Sequence, residues 1–286
     1  MNVMILEVEN LSKSYSGKKK VLKNVSFSIP RGTIAGFIGD NGAGKSTTMG
    51  AILGTLSKDG GSIKVFGEEM GPKKSHLKED IGVVFDQVHL PHQLNVKQLG
   101  SVFRLLYKNW DQNIFEYYTN FFSLPIDKKI GDFSRGMSMK LSMAVALSHD
   151  AKLLILDEAT AGLDLSGRND LLQVLKNFVK NGQHSILLSS HITSDIEAVA
   201  DILIFIKSGK ILLQVSKETL MSRYAVLQCT DKEFEQIEAS LVVVYQRKSD
   251  QVDVLVCDRD QVPHSIVRKN FSIDDVTLLL MRGEQL

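Results

Sequence analysis

Through the first 90 residues apolar and polar side chains alternate in short runs. Residues 5–15 (ILEVENLSKSY) and 21–29 (VLKNVSFSI) read as half-buried strands, the second stopped by Pro30-Arg31-Gly32. TIAGFIG at 33–39 is a short apolar run suited to a buried strand, and 47–56 has few breakers and suits a helix. SIKVFG and DIGVVF read as two further strands. From Val96 the spacing changes to helical, with apolar residues at Val96, Leu99, Val102, Phe103 and Leu106, and eight aromatics fall between Phe103 and Phe122. That stretch reads as a helical insertion whose aromatics either fill a core between short helices or stay exposed for docking.

Beyond it, a helix is expected over 138–148, then a buried strand, KLLILDE, with two acids at its end. Residues 163–182 read as a helix with a glycine stop, HSILLSSH as a strand, 194–200 as a helix capped by Ser194, and 201–213 as a hairpin turning at Ser208-Gly209. Alternation of strand and helix argues for a mainly parallel sheet covered by helices. After Val215 the texture shifts to a small α+β unit, with strands in LVVVYQ and DVLVC and helices in FEQIEASL and IDDVTLLLMRG.

The length of 286 residues suits roughly two domains. A net charge of +1, from 34 Lys+Arg against 33 Asp+Glu, argues against a nucleic-acid partner. Two cysteines are too few for a disulfide scaffold or a four-ligand zinc site. No signal peptide is evident, and no apolar run approaches the ~20 residues that span a bilayer. The expectation is a cytoplasmic protein that reaches a membrane only through another chain.

Two motifs carry chemistry. Gly39-Asp40-Asn41-Gly42-Ala43-Gly44-Lys45-Ser46 fits G-x-x-x-x-G-K-[ST] between a strand and a helix. Glycines there let backbone N–H groups face phosphate oxygens at a helix N-terminus, with Lys45 reaching the β/γ-phosphates and Ser46 ligating Mg²⁺. Asp157 and Glu158 end the second apolar strand, where Asp157 would hold Mg²⁺ through water and Glu158 could act as general base.

With these motifs the chain resembles the ATP-binding cassette of an ABC transporter over roughly residues 5–215. The resemblance implies an α/β, P-loop NTPase fold: a mainly parallel sheet core, a β-stranded N-terminal part, a helical subdomain at about 91–150 and a C-terminal accessory domain at 216–286. Phe133-Ser134-Arg135-Gly136-Met137 stands where the family has L-S-G-G-Q, so Ser134 and Gly136 would close over ATP held by a second subunit. Ala161-Gly162-Leu163-Asp164 resembles the loop that communicates across the dimer, which makes Asp164 a further residue acting in trans. His191 matches the switch histidine, Tyr15 the aromatic that stacks on adenine, and Thr47 extends the phosphate loop.

Asp86 departs from the family's glutamine, and Gln87 follows it; either could reach the metal. Ala159 replaces the proline usual after the two acids. The resemblance implies ATP and Mg²⁺ as cofactors, a homodimer or heterodimer of ATPase subunits, and a separate transmembrane permease that holds this chain on the inner face of the membrane. Export is the expected direction, with an importer ATPase as the alternative. The single phosphate loop argues against a translation-associated protein, which would carry two cassettes, and the lack of a long coiled coil argues against a DNA-repair ATPase.

Overall fold

Strand β1 (Met4–Tyr15) pairs antiparallel with β2 (Lys19–Pro30), and irregular register near Asn10 (φ +50°) bends the ribbon. The computed structural model describes residues 3–15, 19–71, 74–86, 90–249, 251–263 and 265–285. In chain order there follow β3 (Ile34–Ile38), α1 (Lys45–Ile52), β4 (Gly60–Val65), β5 (Glu68–Glu69), α2 (Ser75–Glu79) and β6 (Ile81–Val84). The helical part comprises α3 (Val96–Leu106), α4 (Gln112–Phe121) and α5 (Arg135–Leu147). The chain then returns through β7 (Leu153–Asp157), α6 (Leu165–Val179), β8 (Ser185–Ser189), α7 (Thr193–Val199), β9 (Ile202–Lys207) and β10 (Lys210–Ser216).

A small antiparallel sheet has the order β2-β1-β4-β5, and the central six-stranded sheet has the order β10-β9-β3-β8-β7-β6. Strands β3 and β6–β9 run parallel, with β10 antiparallel on the edge. Each central strand is apolar on both faces, as a parallel sheet covered on both sides requires. Leu153 and Ile155 of β7 point with Phe37 into the core shared with the small sheet. Leu154 and Leu156 point into the core beneath the helices. The two-residue period of a strand therefore feeds two cores from one run of sequence. Gly36 admits α7 onto β3, since a Cβ there would meet Ile196 at 2.3 Å.

The last 70 residues form α8 (Lys217–Arg223), β11 (Ala225–Cys229), α9 (Asp231–Phe234), β12 (Val242–Arg247), β13 (Val252–Val256), β14 (Val267–Lys269) and α10 (Ile273–Arg282). Their antiparallel sheet, β12-β13-β11-β14, has its own core around Leu227, Val254 and Phe234. Its other face and α10 join the larger core, where Val226, Val276 and Leu280 are buried together with Ile196 and Phe205.

Three local expectations change. Helix α5 starts at Arg135 rather than 138, because the Ser134 hydroxyl accepts the Met137 N–H at 3.2 Å and caps the turn. Ser194 is not a cap: it lies inside α7, and its hydroxyl accepts from Arg168. FEQIEASL holds only the end of the one-turn α9 and a 3₁₀ turn at Ala239–Leu241, burying Phe234, Ile237 and Leu241. The aromatics of the helical part divide: Phe115 and Phe122 are buried, while Tyr117 and Phe121 stack on each other at the surface.

Candidate active site

The turn from β3 to α1 is built by backbone conformation. Gly42 (φ +79°) and Gly44 (φ +114°) occupy the left-handed region that side chains disfavour. At Gly39 the reason is space, since a Cβ would lie 2.3 Å from the Ile206 carbonyl oxygen. Ala43 is buried; its N–H donates to the Asp40 carbonyl at 3.1 Å, and its carbonyl accepts the Gly209 N–H at 2.9 Å. Lys45 is 6 % exposed and folds back so that Nζ donates to the carbonyls of Gly39 (2.6 Å) and Asp40 (3.3 Å). No side chain caps α1. The first-turn N–H groups and the positive end of the helix dipole therefore face the cleft.

Opposite stands a ledge made by the ends of β7 and β8. Parallel register sets Asp157 beside Ser189. The Ser189 hydroxyl donates to Asp157 Oδ1 at 2.6 Å and accepts the Glu158 N–H at 3.1 Å. Glu158 has φ +53°, a left-handed backbone that costs a non-glycine residue on the order of 1 kcal/mol or more. Its Oε2 accepts from His191 Nδ1 at 2.6 Å and from the His191 backbone N–H at 3.2 Å. A carboxylate can only accept, so Nδ1 carries the ring proton. Glu158 Oε1 is buried without a hydrogen-bond partner, 3.8 Å from Lys45 Nζ.

Between the loop and the ledge lies an open cleft of about 400 Å³, lined by Asn41, Gly42, Gly44, Lys45, Ser46, Thr47, Val21, Asp86, Asp157 and Glu158. Tyr15, Ser134, Gly136 and Asp164 stand outside that wall. Tyr15 is exposed at the end of β1, with Lys13 Nζ 5.7 Å from its ring centre. Ser134 caps α5, and Asp164 caps α6 by accepting the Gly167 N–H at 3.0 Å. A Cβ on Gly136 would meet the Gly162 carbonyl oxygen at 3.0 Å, so the first turn of α5 rests on the loop before α6. The Asp86 carboxylate pairs with the Arg135 guanidinium of the same chain; Gln87 lies outside the described residues.

Sequence reasoning missed Ser189 and Arg135. The first was discoverable in principle, because two adjacent parallel strands ending in LDE and LSSH bring their last residues side by side. The second carried no local signal, since 49 residues separate it from Asp86.

The residues present suit a magnesium-bound nucleoside triphosphate. An uncapped helix N-terminus, a lysine bonded only to carbonyls there, and an orphaned buried carboxylate oxygen face one cleft. Among the described residues no cluster of three or more His, Cys, Asp or Glu side chains could hold a metal alone. That suits Mg²⁺, which is usually held by one or two carboxylates together with substrate phosphates.

Comparison with known proteins agrees with this geometry. The family model described as ABC transporter matches residues 22–161. The lantibiotic transport ATP-binding protein SrtF of Streptococcus pyogenes is 37 % identical over 211 residues, 73 % of this chain and 90 % of that protein. The bacitracin transport ATP-binding protein BcrA of Bacillus licheniformis is 32 % identical over 235 residues, 80 % of this chain and 76 % of the relative. A solved ATP-binding subunit of an ABC transporter superposes with a TM-score of 0.69 at 27 % identity, over 75 % of this chain and 90 % of that one. By its 37 % identity over 90 % of SrtF, together with that family model, the chain belongs to the ATP-binding subunits of ABC transporters.

Proposed function

We propose that this chain hydrolyses ATP to power an exporter, two cassettes closing on two Mg-ATP and driving a separate membrane chain. One observation carries the reading: Lys45 and His191, from two separate elements, converge on the Glu158 carboxylate, whose Oε1 is buried without a hydrogen-bond partner. Lys45 and the amides of the loop, Gly39 to Thr47, bind the phosphates, and Tyr15 stacks on the adenine. Ser46 and Asp157 hold Mg²⁺, with Asp86 as a further oxygen donor; the ion, when bound, neutralises phosphate charge. Glu158 takes a proton from the attacking water. His191 holds that carboxylate through Nδ1–H.

Ser134, Gly136 and Asp164 serve the nucleotide of the second copy, a role that suits groups off this chain's own cleft wall. Residues 1–215 form the ATPase, with its helical part at 91–150, and 216–286 are accessory. No helix among the described residues is long and apolar enough to cross a membrane. Contact with the inner face of the membrane therefore runs through the partner, for which the exposed apolar side chains of Leu105, Leu106 and Tyr117 on α3 and α4 offer a docking surface. The relatives named for lantibiotic and bacitracin transport favour antimicrobial peptides as cargo.

Glu158→Gln tests the reading. It should retain ATP binding and lower turnover by about 10²–10⁴-fold. Turnover at the normal rate would remove Glu158 from the role of base.

A further inference from the structure

Helix α7, which follows His191 directly, has only seven residues, and Ile192 at its start offers no side-chain cap. A helix that short does not hold its position unaided. Two neighbours hold it. From α6, Arg168 pairs with the buried Asp195 and donates to the Ser194 hydroxyl at 2.8 Å. From the C-terminal unit, α10 buries Ile273, Val276, Leu279 and Leu280 in one core with Ile196 and Val199 of α7. The Thr193 hydroxyl donates to the carboxylate of Asp274, in the first turn of α10. Lys207 at the end of β9 donates to the carbonyls of Leu280 (3.4 Å) and Gly283 (3.3 Å), which fixes the other end of α10. Thr277 of α10 also stands in the wall of a cleft of about 240 Å³ whose other lining residues include Gly39, Asp40, Asn41, Ser190, His191 and Thr193.

We infer that α10, through the Thr193–Asp274 bond, positions the segment bearing His191 and so lets the C-terminal sheet set the rate of hydrolysis. The inference rests on the reading of Glu158 and His191 as the hydrolytic pair. Thr193 and Asp274 are positioning residues; neither lines the cleft that holds Lys45 and Asp157. His191 Nδ1 sits 2.6 Å from Glu158, and its own side chain is largely exposed, so its placement depends on the backbone that follows. A displacement of a fraction of an ångström at α7 changes that contact, and misplacements of about 1 Å cost up to 10²-fold in rate. Nucleotide binding depends on the β3–α1 turn, which α10 does not grip by any hydrogen bond among the described residues. The contact should act on turnover and spare affinity.

The test uses the full chain and three single substitutions: Thr193→Val, which removes the donor, Asp274→Ala, which removes the acceptor, and Asp274→Asn, which keeps an acceptor oxygen. Thr193→Val and Asp274→Ala should each lower kcat roughly 3- to 10-fold, with KM for ATP and binding of a fluorescent ATP analogue unchanged. Asp274→Asn should stay within about 2-fold of the parent. The Thr193→Val/Asp274→Ala double variant should be no slower than either single one, because both remove the same bond. Unchanged kcat in Thr193→Val and Asp274→Ala, or multiplied losses in the double variant, overturns the positioning role. So does a parallel loss of kcat and affinity that Asp274→Asn fails to rescue. Glu158→Gln in the same series separates the two ideas. If it is inactive while Thr193→Val is normal, only the positioning role falls; if it turns over normally, the hydrolytic reading falls as well.

Discussion

The two walls of the cleft are made in different ways. The β3–α1 wall is nine contiguous residues, Gly39 to Thr47, whose shape comes from the backbone: positive φ at Gly42 and Gly44, no room at Gly39, and a lysine folded onto two carbonyls. The β7–β8 wall is assembled from residues some 30 positions apart, and side-chain bonds from Ser189 and His191 hold its acids. A wall made of backbone tolerates almost no change in residue size but needs no distant partner. A wall made of side chains can be loosened one bond at a time.

Gly39→Ala should break the first wall outright. The new methyl would face the Ile206 carbonyl oxygen at 2.3 Å, with the Ile206 and Ala43 side chains at 2.9 and 3.2 Å, so either the loop or β9 must shift. Overpacking of this kind costs about 1–3 kcal/mol or more. Nucleotide binding should be lost, and the melting temperature should fall; a variant that binds a fluorescent ATP analogue normally would show that the wall is more plastic than its geometry states.

Ser189→Ala should loosen the second wall without breaking it. Asp157 keeps its place on β7 but loses the hydroxyl that orients it, and loss of such an orienting bond typically costs about 10–100-fold in metal affinity. The Mg²⁺ concentration for half-maximal ATPase should rise by at least about 10-fold, while Mg²⁺-free nucleotide binding stays the same.

The Asp86–Arg135 pair allows a weaker and two-signed test. Both side chains are about half exposed, so the pair itself contributes little to stability, about 0–1 kcal/mol. Arg135→Gln frees the carboxylate and should lower the Mg²⁺ requirement about 2- to 3-fold, whereas Asp86→Ala should raise it by a similar factor, both on the scale of an exposed charge. Shifts of the same sign in a Mg²⁺ titration would place Asp86 outside the metal's surroundings.

The smallest effect concerns the scaffold behind the ledge. His149, just before β7, is buried, stacks on Tyr107 at 4.1 Å and bonds the Glu79 carbonyl. Burial holds its imidazole below the usual value, while that carbonyl, the adjacent backbone, Asp80 and Asp150 pull the other way. A histidine depressed in the folded state contributes its full stability above its unfolded value of ~6.5 and loses it as the pH falls. His149→Phe keeps a ring on Tyr107 and cannot titrate. Its melting temperature should therefore fall less between pH 7.5 and 5.5 than that of the parent, with the ATP-binding cleft unaffected.

The same contrast explains what could be read from residues alone. The β3–α1 turn was legible because glycine, lysine and serine at fixed spacing are the structure. The parallel sheet was legible because short apolar strands alternate with helices along the chain, and the hairpin at Ser208-Gly209 because a turn of two positive-φ residues favours such a pair. Contacts made across the chain were not. The Asp86–Arg135 pair and the Ser189 bond need a topology before they can be imagined. The starts of α5 and α7 show the limit at short range. Ser134 stands before the first turn of α5 and caps it, whereas Ser194 is already the second residue of α7 and its hydroxyl accepts from Arg168 instead. FEQIEASL has helical spacing, yet the sheet beside it takes its apolar residues one turn at a time.

The left-handed backbone at Glu158 has a consequence for how this protein can be improved. Glycine would adopt φ +53° without penalty, at the loss of the two bonds Oε2 accepts from His191, so backbone ease and the proposed hydrolysis place different demands on this position. A search guided only by backbone ease would drift toward Glu158→Gly, relieving the turn while discarding the proposed base. Selection for thermal tolerance in this subunit therefore has to be coupled to a screen for work done. Otherwise the site itself is the first place where strain is relieved by abandoning catalysis.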